Sequence, residues 1–93
     1  MKLEWTESAV TDREAIYDFI EDDNPRAAKA LDLRFKELSA RLRRFPRMGR
    51  PGRVEGTREM VALSNYILVY EVDGKTLRIL RVLHAARQWP ADE

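Results

Sequence analysis

Apolar and polar positions along the chain change period twice. Leu3 and Trp5 alternate with Lys2 and Glu4, the period of two of a short opening strand. Thr6 or Ser8 then caps a helix on which Ala9, Arg13, Ile16 and Ile20, with Phe19 beside them, recur at helical spacing. Asp22-Asp23-Asn24-Pro25 breaks it, and Asn24 as cap with Pro25 in the first turn starts a second helix. There Ala28, Leu31, Phe35, Leu38 and Leu42 follow a 3-4-3-4 spacing, so the two helices fold back on each other as a hairpin. Phe45-Pro46 ends that helix, because proline disfavours helical geometry in the residue before it. Residues 47–56 read as a loop rich in Gly, Pro and Arg.

Beyond the loop the period is two. Arg58–Leu63 reads as a strand, Ser64-Asn65 as a tight turn, Tyr66–Val72 as a second strand, Asp73-Gly74 as a hairpin turn and Thr76–His84 as a third strand. Ile79-Leu80 and Val82-Leu83 are apolar on both faces, which puts the last strand inside the sheet. The expected fold is α+β, of order β-αα-βββ: an antiparallel sheet with a helical hairpin on one face. No repeat, linker or low-complexity tract divides the chain, so residues 1–93 are expected to form one domain.

Composition narrows the chemistry. With 44% apolar and 35% charged residues the chain is globular rather than disordered. No apolar run approaches the roughly 18 residues of a membrane span and no signal-peptide pattern is present, so a cytoplasmic protein is expected. Zero cysteines exclude disulfides, thiol nucleophiles and cysteine-ligated metals. A single histidine argues against a zinc site or a histidine-pair catalyst, and neither cofactor nor metal is expected.

The net charge of +1 hides segregation. Residues 1–25 carry eight acids against Lys2 and Arg13, a net of −6, whereas residues 26–58 carry eleven bases against three acids, a net of +8. Such a dipole steers an acidic partner to one face, unless acidic and basic helices simply neutralise each other side by side.

Several blocks, in order, carry a resemblance: Trp5-Thr6-x-x-Ala9-x-x-Asp12-x-x-x-Ile16, Asn24-Pro25-x-Ala27-Ala28, Phe45-Pro46-x-x-Gly49-Arg50, Gly56-Thr57-Arg58-Glu59-Met60-Val61 and Tyr66-Ile67-Leu68-Val69-Tyr70. From residue 3 to 90 the chain resembles the RelE/ParE superfamily of type II toxin-antitoxin toxins. Its closing segment, Leu80-Arg81-Val82-Leu83-His84-Ala85-Ala86-Arg87-Gln88-Trp89-Pro90, is most similar to the ParE branch and its plasmid-stabilisation relatives. The resemblance implies the β-αα-βββ fold and a growth-inhibiting toxin neutralised by a cognate antitoxin. In such families an antitoxin segment folds as it wraps the toxin, so an apolar groove between helix and sheet would be covered only in the complex. It also implies one of two targets: DNA gyrase, as for ParE members, or messenger RNA on the ribosome, as for RelE-like members.

Metal-free RNA cleavage needs a base for the 2′-hydroxyl, an acid for the leaving oxygen and cations on the developing phosphorane. RelE-like enzymes supply these from Lys and Arg on the middle strands. Here Ile67 follows Tyr66 where they place an Arg, their two lysine places fall near Met60 and Ala62, and Arg58 is the one cation between Val54 and Gly74. A nuclease would have to rest on His84, the one side chain of near-neutral ordinary pKa, with Arg81 or Arg58 as phosphate clamp. Arg81 and His84 have opposite parity on an ideal strand and need a bulge to meet. The alternative is a His84 bonded to backbone at the strand end and an Arg81 paired with a helix acid.

For a toxin that binds rather than cuts, the candidate contact residues are Arg50, Arg53, Arg87 and Trp89. Arg43, Arg44, Arg47, Arg50 and Arg53 form a cluster suited to an acidic target, gyrase or nucleic-acid backbone, although the helix macrodipole alone accounts for Arg43 and Arg44. With Phe45 as the lone aromatic, direct DNA binding, and sequence-specific binding in particular, is disfavoured. Trp89 is either a docking anchor or a cover for the open sheet face, against Trp5. Tyr66 and Tyr70 share one face of their strand and read as core.

Overall fold

In the computed structural model, which describes residues 1–87, 89 and 90, the element order is β1 (Lys2–Trp5), α1 (Glu7–Glu21), α2 (Pro25–Arg44), β2 (Arg50–Pro51), β3 (Arg58–Val61), β4 (Tyr66–Asp73) and β5 (Thr76–His84). The helix boundaries follow their caps. The Thr6 Oγ1 accepts from the Ala9 N–H at 3.1 Å, and the Asn24 Oδ1 accepts from Ala27 at 3.1 Å with Pro25 in the first turn. Ser64 and Asn65 both adopt positive φ, 53° and 64°, the pair of left-handed residues that a tight β3–β4 turn requires. Gly74, at φ 59°, turns β4 into β5.

The sheet corrects the sequence expectation in three respects. Its order is β1-β5-β4-β3-β2, and it is mixed: β1 lies parallel to β5, with Lys2 opposite Thr76 and Trp5 opposite Ile79. The helical hairpin between them carries the chain back to the same end of the sheet, which makes a parallel pairing possible. Within the expected loop, Arg50–Pro51 forms a short edge strand on β3. The strand over Arg58 also stops at Val61, short of Leu63.

Both faces of the sheet are buried where β4 and β5 pair. Leu68, Tyr70, Leu77, Ile79 and Val82 pack under Ala9, Leu31, Phe35, Leu38 and Leu42 of the helices. On the other face Ile67, Val69 and Leu83 form a smaller cluster covered by Ala85 and Trp89. This explains why β5 is apolar at successive positions. Trp89 therefore covers the open face but not against Trp5, which the two-residue period of β1 directs into the helix-side core.

A β-bulge interrupts the β4–β5 ladder: Val69 pairs with Arg81 and Tyr70 with Ile79, leaving Leu80 as the extra residue. The Leu80 carbonyl accepts from the Thr6 hydroxyl at 2.9 Å, so the residue that caps α1 also ties the helix to the bulge.

Candidate functional site

His84 ends β5 opposite Tyr66, whose ring meets the imidazole edge-on at a centroid distance of 5.2 Å. The two open onto a cleft of about 240 Å³ between α1 and β5, lined also by Asp12, Ile16, Phe19 and Arg87. The Ala86 N–H donates to the His84 Nδ1 at 3.1 Å, because the chain turns tightly after the strand. With Nδ1 accepting, a neutral imidazole carries its proton on Nε2. His84 thus offers the cleft a donor rather than the lone pair a general base needs.

Arg81 lies on the opposite face. The bulge at Leu80 precedes it, so Arg81 opposite Val69 and His84 opposite Tyr66 keep their opposite parity. Its guanidinium forks onto Asp12 of α1, with Nε at 2.7 Å and Nη2 at 2.9 Å, and stands 5.6 Å from the Trp89 ring centroid. That hydrogen-bonded carboxylate raises the Arg81 pKa above its ordinary value. The same Asp12 Oδ2 accepts from the Val82 N–H at 3.0 Å, at the edge of β5 that β1 no longer covers. An acid on the buried stripe of α1 thus closes an open strand edge and holds Arg81 at once.

Arg58 is committed elsewhere: its Nη1 donates to the Gly49 carbonyl at 2.6 Å. It faces Tyr70 on β4, as His84 faces Tyr66 from the other side, which separates the two backbones by about 16 Å. His84, Arg81 and Arg58 do not converge on one site. Among the described residues no three His, Asp or Glu side chains gather as a metal site would require.

The loop arginines converge on a buried acid. Glu59, 2% exposed, accepts from the Arg53 N–H at 3.0 Å and from the Arg50 Nη2 at 3.4 Å. The Arg53 guanidinium then reaches the Ala85 and Arg87 carbonyls, both at 3.1 Å. Arg53 therefore braces the loop against the turn after β5, beside Trp89, whose buried indole N–H has no partner among the described residues. Of the four candidate contact residues, Arg50 and Arg87 present exposed side chains at this corner, while Arg53 and Trp89 hold it together.

Sequence reasoning offered an Arg81 paired with a helix acid without naming Asp12, which the structure supplies, and missed the roles of Glu59 and Tyr70. Asp12 carried a signal, an acid three residues after Ala9 and four before Ile16 on the buried face of α1. Tyr70 carried none: its hydroxyl donates to the Pro46 carbonyl at 2.7 Å and accepts from the Gly49 N–H at 3.0 Å. Gly49 is required there, because a Cβ would lie 2.6 Å from that hydroxyl.

A second, larger groove of about 630 Å³ runs along α1 past Trp5, Val10, Arg13, Tyr17 and Asp32. Arg13 sits on its floor, forked onto Asp32 at 2.6 and 3.1 Å and 4.9 Å from the Trp5 ring centroid.

Residues 3–89 match the family described as ParE toxin of type II toxin-antitoxin system, parDE. Y4kP of Sinorhizobium fredii is 37% identical over 90 residues, which span 96% of this chain and 93% of that protein. Toxin RelE2 of Caulobacter vibrioides is 36% identical over 83 residues, 89% of this chain and 93% of that one. Among solved structures, a chain of the chromosomal ParDE system from P. aeruginosa superposes with a TM-score of 0.81 at 30% identity, over 90% of this chain and 95% of that chain.

Proposed function

The chain belongs to the ParE toxin family of type II toxin-antitoxin systems, and from that membership we propose that it stops growth in the cytoplasm by binding DNA gyrase, not by cutting RNA. Its partner in the module is a cognate antitoxin. The observation that supports binding over cleavage is the hydrogen bond from the Ala86 N–H to the His84 Nδ1, which occupies one ring nitrogen of the lone histidine. Arg81 is taken by Asp12 and Arg58 by the Gly49 carbonyl, so no cation preorganised for a phosphorane stands beside His84 on its strand. The contact surface is the corner where Arg50 and Arg87 project and Arg53 and Trp89 lock the chain. The antitoxin covers the grooves beside α1, where Phe19 stands 76% exposed.

A gyrase supercoiling assay with purified toxin, with and without antitoxin, tests this directly. Inhibition with trapped double-strand breaks, relieved by antitoxin, is the expected result. Uninhibited gyrase from a folded toxin that still arrests growth excludes it.

The second reading is a ribosome-dependent messenger RNA endonuclease. It is favoured by the cleft that gathers Tyr66, His84 and Arg87, and by similarity to a relative named RelE2. His84→Ala separates the two. A binding toxin keeps nearly all its toxicity, whereas an enzyme loses about two to four orders of magnitude in rate.

A further inference from the structure

We propose that the arginine rim at the C-terminal end of α2 binds the phosphate backbone of duplex DNA without reading its sequence. Between residues 41 and 58 the chain carries seven arginines and no lysine, while its lysines stand at positions 2, 29, 36 and 75. A merely solubilising surface has no need of that choice. The planar guanidinium fork matches carboxylate and phosphate geometry, and a lysine ammonium does not.

Of these forks only Arg50 and Arg53 reach a carboxylate among the described residues, that of Glu59. Arg43, Arg44 and Arg47 are exposed and have no acidic partner among the described residues. In the same molecule Arg13, Arg78 and Arg81 are each held by a carboxylate at 2.6–2.7 Å. The helix macrodipole accounts for cations in the last turn of α2 but not for Arg47 and Arg50 beyond the cap at Phe45.

The rim is also held in shape. Tyr70 fixes the Pro46 carbonyl and Gly49 N–H, and Arg58 fixes the Gly49 carbonyl, so the backbone carrying Arg47 and Arg50 is pinned to β3 and β4. The rim lies at the β2 edge of the sheet, while the acidic α1 packs on β5 toward the opposite edge. This gathers an excess of positive charge at one end of a protein whose net charge is only +1.

Duplex fits better than single strand. The lone aromatic, which on sequence grounds disfavours direct DNA binding, tells only against a single strand. A single-strand platform interleaves exposed aromatics with its cations, and here Phe45, with Arg44 stacked at 5.5 Å, stands alone. Contact to a duplex backbone needs no stacking. Phosphate contacts alone give sequence-independent, salt-dependent affinity.

The test is fluorescence anisotropy of a short random-sequence duplex with the purified full-length toxin, titrated at several salt concentrations with no gyrase present. The absence of gyrase keeps the outcome separate from the choice of target. Arg43→Gln/Arg44→Gln/Arg47→Gln should bind at least about tenfold more weakly at about 100 mM salt, with a log–log salt slope shallower by about 3. Arg26→Gln/Lys29→Gln/Lys36→Gln removes the same charge from exposed positions elsewhere on α2 and should stay within about twofold of wild type. Circular dichroism and antitoxin binding confirm that both variants fold. The proposal is overturned if wild type does not bind the duplex at about 50 mM salt, if the control variant loses as much affinity, or if single-stranded RNA of equal length binds as tightly with the same arginine dependence.

Discussion

Arg78 and Arg44 illustrate two ways in which one small protein uses the same side chain. Arg78 on β5 is three-quarters buried among Glu4, Glu71 and Asp73, which hold it at 3.0, 2.6 and 3.4 Å and raise its pKa. Arg44 points away from the core residue Leu42, touches the exposed face of Phe45 and meets no carboxylate among the described residues. The first kind, with Arg13 and Arg81, fastens elements that are distant in sequence: α1 to α2, α1 to β5, β1 to β4 and β5. The second kind is clustered in sequence and does no such fastening. Charge segregation along the chain does not end in neutral helix pairing either. The close ion pair between α1 and α2, Arg13–Asp32, joins a base of the acidic segment to an acid of the basic one. The bulk of the segregated charge stays on the surface, where it acts on partners rather than on stability.

The largest effect expected from breaking this contrast is at Arg81. Arg81→Ala leaves the Asp12 carboxylate, only 11% exposed, without its counter-charge and should cost about 3 kcal/mol in urea denaturation. Asp12→Ala combined with Arg81→Ala should cost less than the sum of the two single changes. Strict additivity would show that the pair does not act as a unit.

Tyr70→Phe should cost about 1–3 kcal/mol, because it strands the Gly49 N–H and the Pro46 carbonyl in the core. Burial raises the Tyr70 pKa above 10.0, against the lowering effects of the Gly49 hydrogen bond and the Arg58 charge. The phenol is protonated in folded and unfolded chains at neutral pH. Above pH about 10 the unfolded phenol ionises first, so the folded state loses stability as pH rises through the raised pKa. A pH series of unfolding midpoints should show a smaller alkaline loss in the Phe variant than in wild type. Equal losses would assign the alkaline sensitivity to other groups.

Smaller again is Arg13→Ala, at about 1 kcal/mol, since the side chains of the ion pair with Asp32 are 25% and 37% exposed and the Trp5 contact adds little. Arg43→Ala and Arg44→Ala should lie within about 0.5 kcal/mol of wild type in the same assay. A substantial loss there would mean that the rim is structural and would remove the distinction between the two kinds of arginine.

The elements themselves were legible because their signals are local. The Asn24-Pro25 start, the 3-4-3-4 stripe from Ala28 to Leu42, and the Ser64-Asn65 and Asp73-Gly74 turns each depend on backbone geometry within a few residues. Strand β5 appears from Thr76 to His84 as the alternation and its flanking turn imply. The nuclease candidates His84, Arg81 and Arg58 could be named from residue chemistry, but not the distances between them. The parity of Arg81 and His84 was readable, while the position of the bulge at Leu80 was not.

What one dimension could not carry were the pairings of residues far apart along it. The parallel seating of β1 on β5, the Asp12 fork that seals the β5 edge, and Tyr70 under Gly49 all join segments twenty or more residues apart. Periodicity reports which face of an element is buried, since that is set by 3.6- or 2-residue geometry. It does not report which polar atom will meet which, because a hydrogen bond is decided within a few tenths of an ångström by how the elements pack. Amino-acid order thus established the parts of this toxin and which residues carry charge. Packing alone decided which arginines are consumed in holding those parts together and which are left to meet a partner.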